Sequence, residues 1–437
     1  MHRKADEATN SGRLMSLEKS PRRVLYVEYG IGFGGSIVSL SELARSLQAT
    51  GLVSPLLVTS QEQRVVDAVV KDLPHKHFRR LLSYRTRASI TSSVRSGILK
   101  KLFLRPVSKA LALSDWMLER LNSYRLVRVA KNHQAHLIHV NNGWHDEAVR
   151  AAYLAGLPCI VHCRGIYSSP IIKSLWRRRR LEDTVVRFIA ISGVVADGLV
   201  SGGIPRGRIT IIDNPVDVPR YAEGRFHRCD TRNRLGFSPD DIVVSIFGRV
   251  TRWKGQLEFL RAMAQIVPNC SRLKIMIVGD PSDAKNYHYV DRVHAFSNEM
   301  LSGRVVFSGY KADVEKYYWA SDIVVHNSQS AEPFGRVVIE AMACERAVVA
   351  VDEGGPSEII SNGVDGVLTP PRDIEALGRT VEKLYRSSQR RLELGGCALM
   401  TAQRRFSSQA IAAQVLSLYN EVEGSKNMVD TVDGMID

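Results

Sequence analysis

The feature that most restricts the fold of this chain is a series of short apolar runs separated by helical stretches, and the series starts twice. Its first half has runs at residues 23–28, 54–58, 137–140, 159–162 and 186–191. Gly30-Ile31-Gly32-Phe33-Gly34-Gly35-Ser36 follows the first run and leads into a helical stretch through Leu47. Asp213-Asn214-Pro215-Val216-Asp217 is turn chemistry, and the polar residues up to Pro239 read as a linker with one short helix. The series then restarts, with strands expected at 242–247, 273–278, 305–308, 323–326 and 347–351 and a helix at 256–266. Short apolar strands alternating with helices form βαβ units around a parallel sheet covered on both faces. The expected fold class is α/β: two doubly wound Rossmann-like domains facing each other across a cleft. A ligand would lie in that cleft, at the carboxyl ends of both sets of strands.

The length of 437 residues agrees with two domains of about 150–200 residues each. The sequence divides into a disordered N-terminal segment (1–21), a first domain (22–216) and a second (217–400). A C-terminal helix (401–421) is expected to pack back on the first domain, before an acidic tail (422–437). No stretch reaches the ~20 consecutive apolar residues of a membrane span, and the polar N-terminus lacks the apolar core of a secretory signal. The expected location is the cytoplasm. Six scattered cysteines are too few for a disulfide scaffold, and Cys159 and Cys163 bracket an apolar run that reads as buried strand rather than metal site.

Two motifs carry chemistry. Gly248-Arg249-Val250-Thr251-Arg252-Trp253-Lys254-Gly255 follows directly on the strand at 242–247. There a planar Arg fork and a compact Lys charge suit a diphosphate, against the plainer alternative of a solvated basic loop. The second is Glu332-Pro333-Phe334-Gly335-Arg336-Val337-Val338-Ile339-Glu340-Ala341-Met342, a tight loop opening a helix. The helix N-terminus favours an anion, and Glu332 just before it can reach sugar hydroxyls. Glu340 sits among apolar residues, where a carboxylate needs a partner; a ribose diol would serve.

These motifs, with Gly354-Gly355-Pro356-Ser357-Glu358 and Asn214-Pro215-Val216-Asp217, resemble the retaining family-4 glycosyltransferases of the GT-B fold (glycosyl transferases group 1). The resemblance covers residues 22–420 and is densest over 186–370. It implies that the first domain takes the acceptor and the second a nucleotide-sugar donor. Arg249 and Lys254 would then bind the donor diphosphate, and Glu340 the ribose. Glu332, with the backbone of Phe334 and Gly335, would hold the transferred sugar, and Arg336 would be among the donor-binding residues. His162 matches the family's cleft histidine, and Gly34-Gly35 its N-terminal glycine loop near the phosphates. Pro215 stands where the family commonly has Gly, which stiffens that turn.

Glycosyl transfer needs stabilisation of a departing nucleotide diphosphate. Arg249, Lys254 and the helix at Gly335 would supply it, so no cofactor and no essential metal are expected. The expected activity is retaining transfer of a hexose from a UDP- or GDP-linked donor to a lipid-linked carbohydrate acceptor in polysaccharide or glycolipid biosynthesis. The net charge of +15 is concentrated between Lys76 and Lys131, where fourteen Lys and Arg face only Asp115 and Glu119. Val94, Ile98, Leu99, Leu102 and Phe103 recur there at helical spacing among Arg95, Lys100, Lys101 and Arg105. That pattern is a basic helical insertion (76–131), suited to an anionic membrane surface or to packing on the first domain. Lys173 and Arg177 to Arg180, beside Trp176, add a second basic cluster. The alternatives are a nucleic-acid- or membrane-binding protein without transferase activity, and a GT-B epimerase or phosphorylase. No aromatic-basic recognition module accompanies the charge, so no nucleic acid is expected as partner.

Overall fold

The computed structural model describes residues 20–29, 34–79, 116–143, 145–167, 184–280 and 287–433. The first sheet holds β1 (Arg22–Glu28), β2 (Val53–Thr59), β3 (His75–His77), β4 (Leu137–Asn141), β5 (Cys159–Cys163), β6 (Val185–Ala190) and β7 (Ile209–Ile211). Their order is β3-β2-β1-β4-β5-β6-β7, and every pairing is parallel. The second holds β8 (Ile242–Phe247), β9 (Leu273–Val278), β10 (Val305–Gly309), β11 (Ile323–His326), β12 (Ala347–Val351) and β13 (Val367–Thr369). Their order, β10-β9-β8-β11-β12-β13, repeats the first sheet with one edge strand fewer. Both sheets reverse direction beside their first strand, at the β1/β4 and β8/β11 pairs. That is the point where an open α/β sheet leaves a crevice.

Burial explains the composition of the strands. β4, β5, β11 and β12 are buried along their whole length and are mostly β-branched and small apolar residues, with polar positions at His139, Asn141, His162 and His326 toward their carboxyl ends. Ser245 sits inside β8 without penalty, because its hydroxyl lies 2.6 Å from that of Ser321. One apolar cluster runs through both domains, from Val27 and Phe188 to Phe334, Ile339 and Phe406. Two further clusters cover the outer faces of the sheets.

The last helix, Ser408–Asp433, belongs to the first sheet in space although it follows the second in sequence. Ile411, Val415, Leu418 and Tyr419 pack with Leu40, Leu43 and Leu57. Arg22 binds Glu423, and Val216 pairs with Ser407 in an isolated bridge. The helix expected to end at 421 instead runs from Ser408 through Asp433, and Val422, just past that limit, is still buried on its apolar stripe. The stripe from Val94 to Phe103 and the Arg177 cluster lie outside the described residues, as does the N-terminal segment before Ser20. Among the described residues, no helix is long and apolar enough to cross a membrane.

Candidate functional site

The crevice beside β8 and β11 is built from two loops that lock together. Beyond β8, Arg249 is exposed, and its guanidinium pairs with no described side chain. Its backbone is fixed from beneath by Gln256, which donates to the Arg249 carbonyl at 3.0 Å and accepts from the Thr251 N–H at 3.3 Å. The chain turns through Arg252–Lys254 into Gly255, whose φ is +71°. A Cβ there would stand 2.2 Å from the carbonyl oxygen of Asn327 in the loop after β11, so this crossing needs glycine.

Lys254 reaches across the crevice and donates to both oxygens of Glu332 at 2.7 Å. Ser328 donates to Glu332 Oε2 at 2.7 Å, and Nε2 of His326 lies 2.6 Å from the same oxygen. Burial alone would raise the Glu332 carboxyl, but Lys254 and then His326 outweigh it and hold the group well below the usual carboxylate range. Glu332 is therefore a buried, ionised acceptor with three donors around it. The sequence identified Lys254 and Glu332 as separate ligand contacts; the fold joins them to each other. His326 and Ser328 carried no assigned role on the sequence. The signal was a histidine closing an apolar strand, six residues before Glu332.

The loop from Glu332 to Gly335 leads into the helix Arg336–Ala343. Phe334 is buried against Phe406, so only its backbone can face a ligand. Arg336 and Glu340 meet at 2.9 Å, and Tyr318 donates to Glu340 Oε2 at 2.8 Å. These are the partners that a carboxylate in an apolar setting required. Arg336 also leaves its own domain: it donates to Ser39 at 2.6 Å and to Glu42 at 3.1 Å, on the helix Gly35–Ala49. Gly34 is the N-cap of that helix, and a Cβ on Gly35 would stand 2.9 Å from Arg336 Cδ. The absent side chain at Gly35 leaves room for this reach.

Two more contacts close the domains. Ser192 donates to the Pro333 carbonyl at 2.6 Å, and Glu358 accepts from the backbone N–H groups of Gly193 and Val194 at 2.6 and 2.8 Å. His162, at the end of β5, is fully buried, apart from the Lys254–Glu332 cluster in its bonding. Burial and the nearby Arg164 hold its imidazole well below its ordinary pKa. Among the described residues, no three His, Cys, Asp or Glu side chains cluster as a metal-binding group.

Two parallel Rossmann-like sheets, joined by a C-terminal helix that crosses back, with basic and acidic loops at the second switch point, define the two-domain class of sugar transferases known as GT-B. Residues 228–397 match the family model of glycosyl transferases group 1, and residues 33–220 match that of glycosyltransferase family 4. The chain belongs to this glycosyltransferase family. D-inositol 3-phosphate glycosyltransferase of Rhodococcus erythropolis is 31% identical over 224 residues, 50% of each chain. Spore coat protein SA of Bacillus subtilis is 26% identical over 250 residues, 55% of this chain and 66% of that one. The matches thus span about half to two thirds of these curated relatives. The crystal structure of Anabaena HepE in complex with UDP and glucose has the same fold, with a TM-score of 0.71 and 24% identity over 91% of this chain and 99% of that one.

Proposed function

We propose that the chain transfers a hexose, with retention, from a UDP- or GDP-linked donor to a carbohydrate acceptor, and that it does so without an essential metal. The observation that carries this reading is the β8/β11 crevice, where Lys254 bridges to Glu332 in the same loop as Arg249, whose exposed guanidinium pairs with no described side chain. Two cations there can neutralise a departing diphosphate, as a metal would otherwise do. Glu332, ionised and already ordered by Ser328 and His326, offers a carboxylate to sugar hydroxyls. Glu340, held by Tyr318 and Arg336, offers one to ribose. Gly34, Gly35, Phe334 and Gly335 supply backbone around the same donor, and His162, buried behind the end of β5, is assigned to the acceptor side by the family resemblance. Relatives named for sugar transfer, and a fold neighbour crystallised with UDP and glucose, support the donor class.

The acceptor is proposed to be lipid-linked, with the enzyme held peripherally at the cytoplasmic membrane surface through the basic segment 76–131. In favour of this, the described end of the segment exposes Trp116, Met117, Leu121 and Tyr124 among Arg120, Arg125 and Arg128. The test has two arms. UDP- and GDP-sugars are screened by thermal shift in the presence of EDTA. One of them is expected to stabilise the wild type, and Arg249→Ala or Glu332→Ala to abolish transfer of its sugar. Full activity in Glu332→Ala, or stabilisation that EDTA removes, refutes the corresponding part. The membrane arm is sedimentation with anionic vesicles at low salt, where a protein that stays in the supernatant refutes attachment.

A further inference from the structure

A buried chain of hydrogen bonds runs from His162 to the C-terminal helix. Nδ1 of His162 lies 3.4 Å from Nη2 of Arg164 and 3.2 Å from Nε2 of His139. Nδ1 of His139 lies 2.7 Å from the hydroxyl of Tyr419, which lies 2.9 Å from that of Tyr26. His139, His162, Tyr26 and Tyr419 are all wholly buried. The two histidines come from adjacent strands β4 and β5, and Tyr419 from a helix that follows the other domain.

Counting donors assigns every proton in this chain. A guanidinium nitrogen can only donate, so Nδ1 of His162 accepts from Arg164, and in the neutral ring the proton sits on Nε2. Nε2 of His139 lies 3.2 Å from the same Nδ1 and must be an N–H, sharing the one Nδ1 lone pair with Arg164, since two bare nitrogens at that distance would repel. Neutral His139 then has a bare Nδ1, which accepts from Tyr419. The single hydroxyl proton of Tyr419 is thereby used, so Tyr26 donates to Tyr419. Both rings are neutral: burial first, and Arg164 second, bring His139 down to about 3, and the same two causes act on His162.

We infer that Tyr419 and His139 are positioning residues that hold His162 as its Nε2–H tautomer. The inference deepens the function proposed above and rests on it for the use made of that N–H. Nε2 of His162 is the open end of the chain, buried and without a partner among the described residues. A buried N–H of this kind is unsatisfied until an acceptor arrives. His162 is thus a fixed donor toward an oxygen of the bound substrate rather than a base. Its orientation depends on a helix that spans back from the donor-binding half.

The test reads the tautomer directly in the full-length protein labelled with 15N-histidine, by two-bond proton–nitrogen spectra without substrate. His162 is identified by the pair of signals lost in His162→Gln. In the wild type it shows the Nε2–H pattern, unchanged between pH 5.5 and 8, as both rings stay neutral. Tyr419→Phe keeps the ring volume and removes only the hydroxyl. It is expected to free His139 to exchange tautomers and to shift or broaden the His162 signals. Tyr26→Phe leaves the Tyr419–His139 bond in place and keeps the wild-type pattern. A merely structural Tyr419 would lower the melting temperature and leave the His162 pattern untouched. That result overturns the inference, as does an Nδ1–H or charged His162 in the wild type. Because no donor sugar is needed, the outcome is separable from the function: the expected tautomers in a protein that transfers no sugar would count against the proposed function alone.

Discussion

At the scale of single residues, the site is governed by one buried ion pair. Lys254 and Glu332 are both largely shielded from water, and neither charge would be tolerable there without the other. Removing one partner leaves an uncompensated buried charge, which costs about 3–5 kcal/mol, whereas removing both leaves none. Lys254→Met is accordingly expected to be far less stable than Lys254→Met/Glu332→Gln. Urea unfolding of the four proteins should give an interaction energy of about 0.5–3 kcal/mol. Acid adds a second reading. Because the folded Glu332 holds its proton more weakly than the unfolded one, the pair's contribution is complete above the ordinary Glu pKa, about 4.3. It fades as pH falls from there toward the depressed folded value. The rise of stability with pH across the range from about 2 to 5 should therefore be shallower in Glu332→Gln than in the wild type. Equal slopes would mean that the carboxylate is not held ionised by its neighbours.

At the scale of elements, the two loops of the β8/β11 crevice are held at a fixed distance by Gly255. Gly255→Ala adds a Cβ that collides with the Asn327 carbonyl, on top of the ordinary strain of a positive φ. Gly203 also has a positive φ (+96°) but has open space around its absent Cβ. Gly203→Ala should thus cost only the backbone term, about 1–2 kcal/mol, and Gly255→Ala measurably more, by thermal or urea unfolding. Gly255→Ala should also lose donor binding, since it displaces Lys254. Most elements of this region were legible in the sequence. β8, β9, β11 and β12 lie where the apolar runs placed them, because parallel strands buried over nearly all their length leave a mostly apolar signature, interrupted here only by Ser245, Lys274 and His326. β3, β7 and β13 were not read. They are three-residue strands toward the sheet edges, and His75-Lys76-His77 is exposed throughout, so no burial shaped its composition. The same limit applies to the site. Lys254 and Glu332 were identifiable by motif, but their mutual bond lies across 78 residues and is fixed only by the strand order. Glu42 and Ser39 gave no signal, because their partner Arg336 belongs to the other domain.

At the scale of the whole molecule, Arg336 is one of the residues through which the second domain touches the first. Its guanidinium binds Glu340 within its own helix, and Ser39, Glu42 and the Pro215 carbonyl outside it. The Glu340 carboxylate and the domain contact thus share one cation, so a ligand that draws on Glu340 would change the charge balance at the interface. Burial pushes the Glu42 carboxyl above its ordinary pKa, and Arg336 offsets part of that. In Arg336→Met nothing offsets it. A carboxyl raised in the fold contributes stability below its unfolded pKa and loses it as pH rises through the folded one. The variant should therefore lose stability as pH rises above the ordinary Glu pKa, about 4.3, and be less stable at pH 7 than at pH 5, falling to about 3–5 kcal/mol below the wild type, the cost of breaking a buried pair. Adding Glu42→Gln removes the stranded charge and should restore much of the loss and flatten the pH dependence. Urea unfolding at both pH values decides the energies. Small-angle scattering decides the geometry: Arg336→Met alone is expected to widen the particle as the halves part, while Ser192 and Glu358 keep the opposite side hinged. Unchanged scattering with an unchanged pH profile would show that the apolar cluster shared by the two halves, rather than this cation, holds them together.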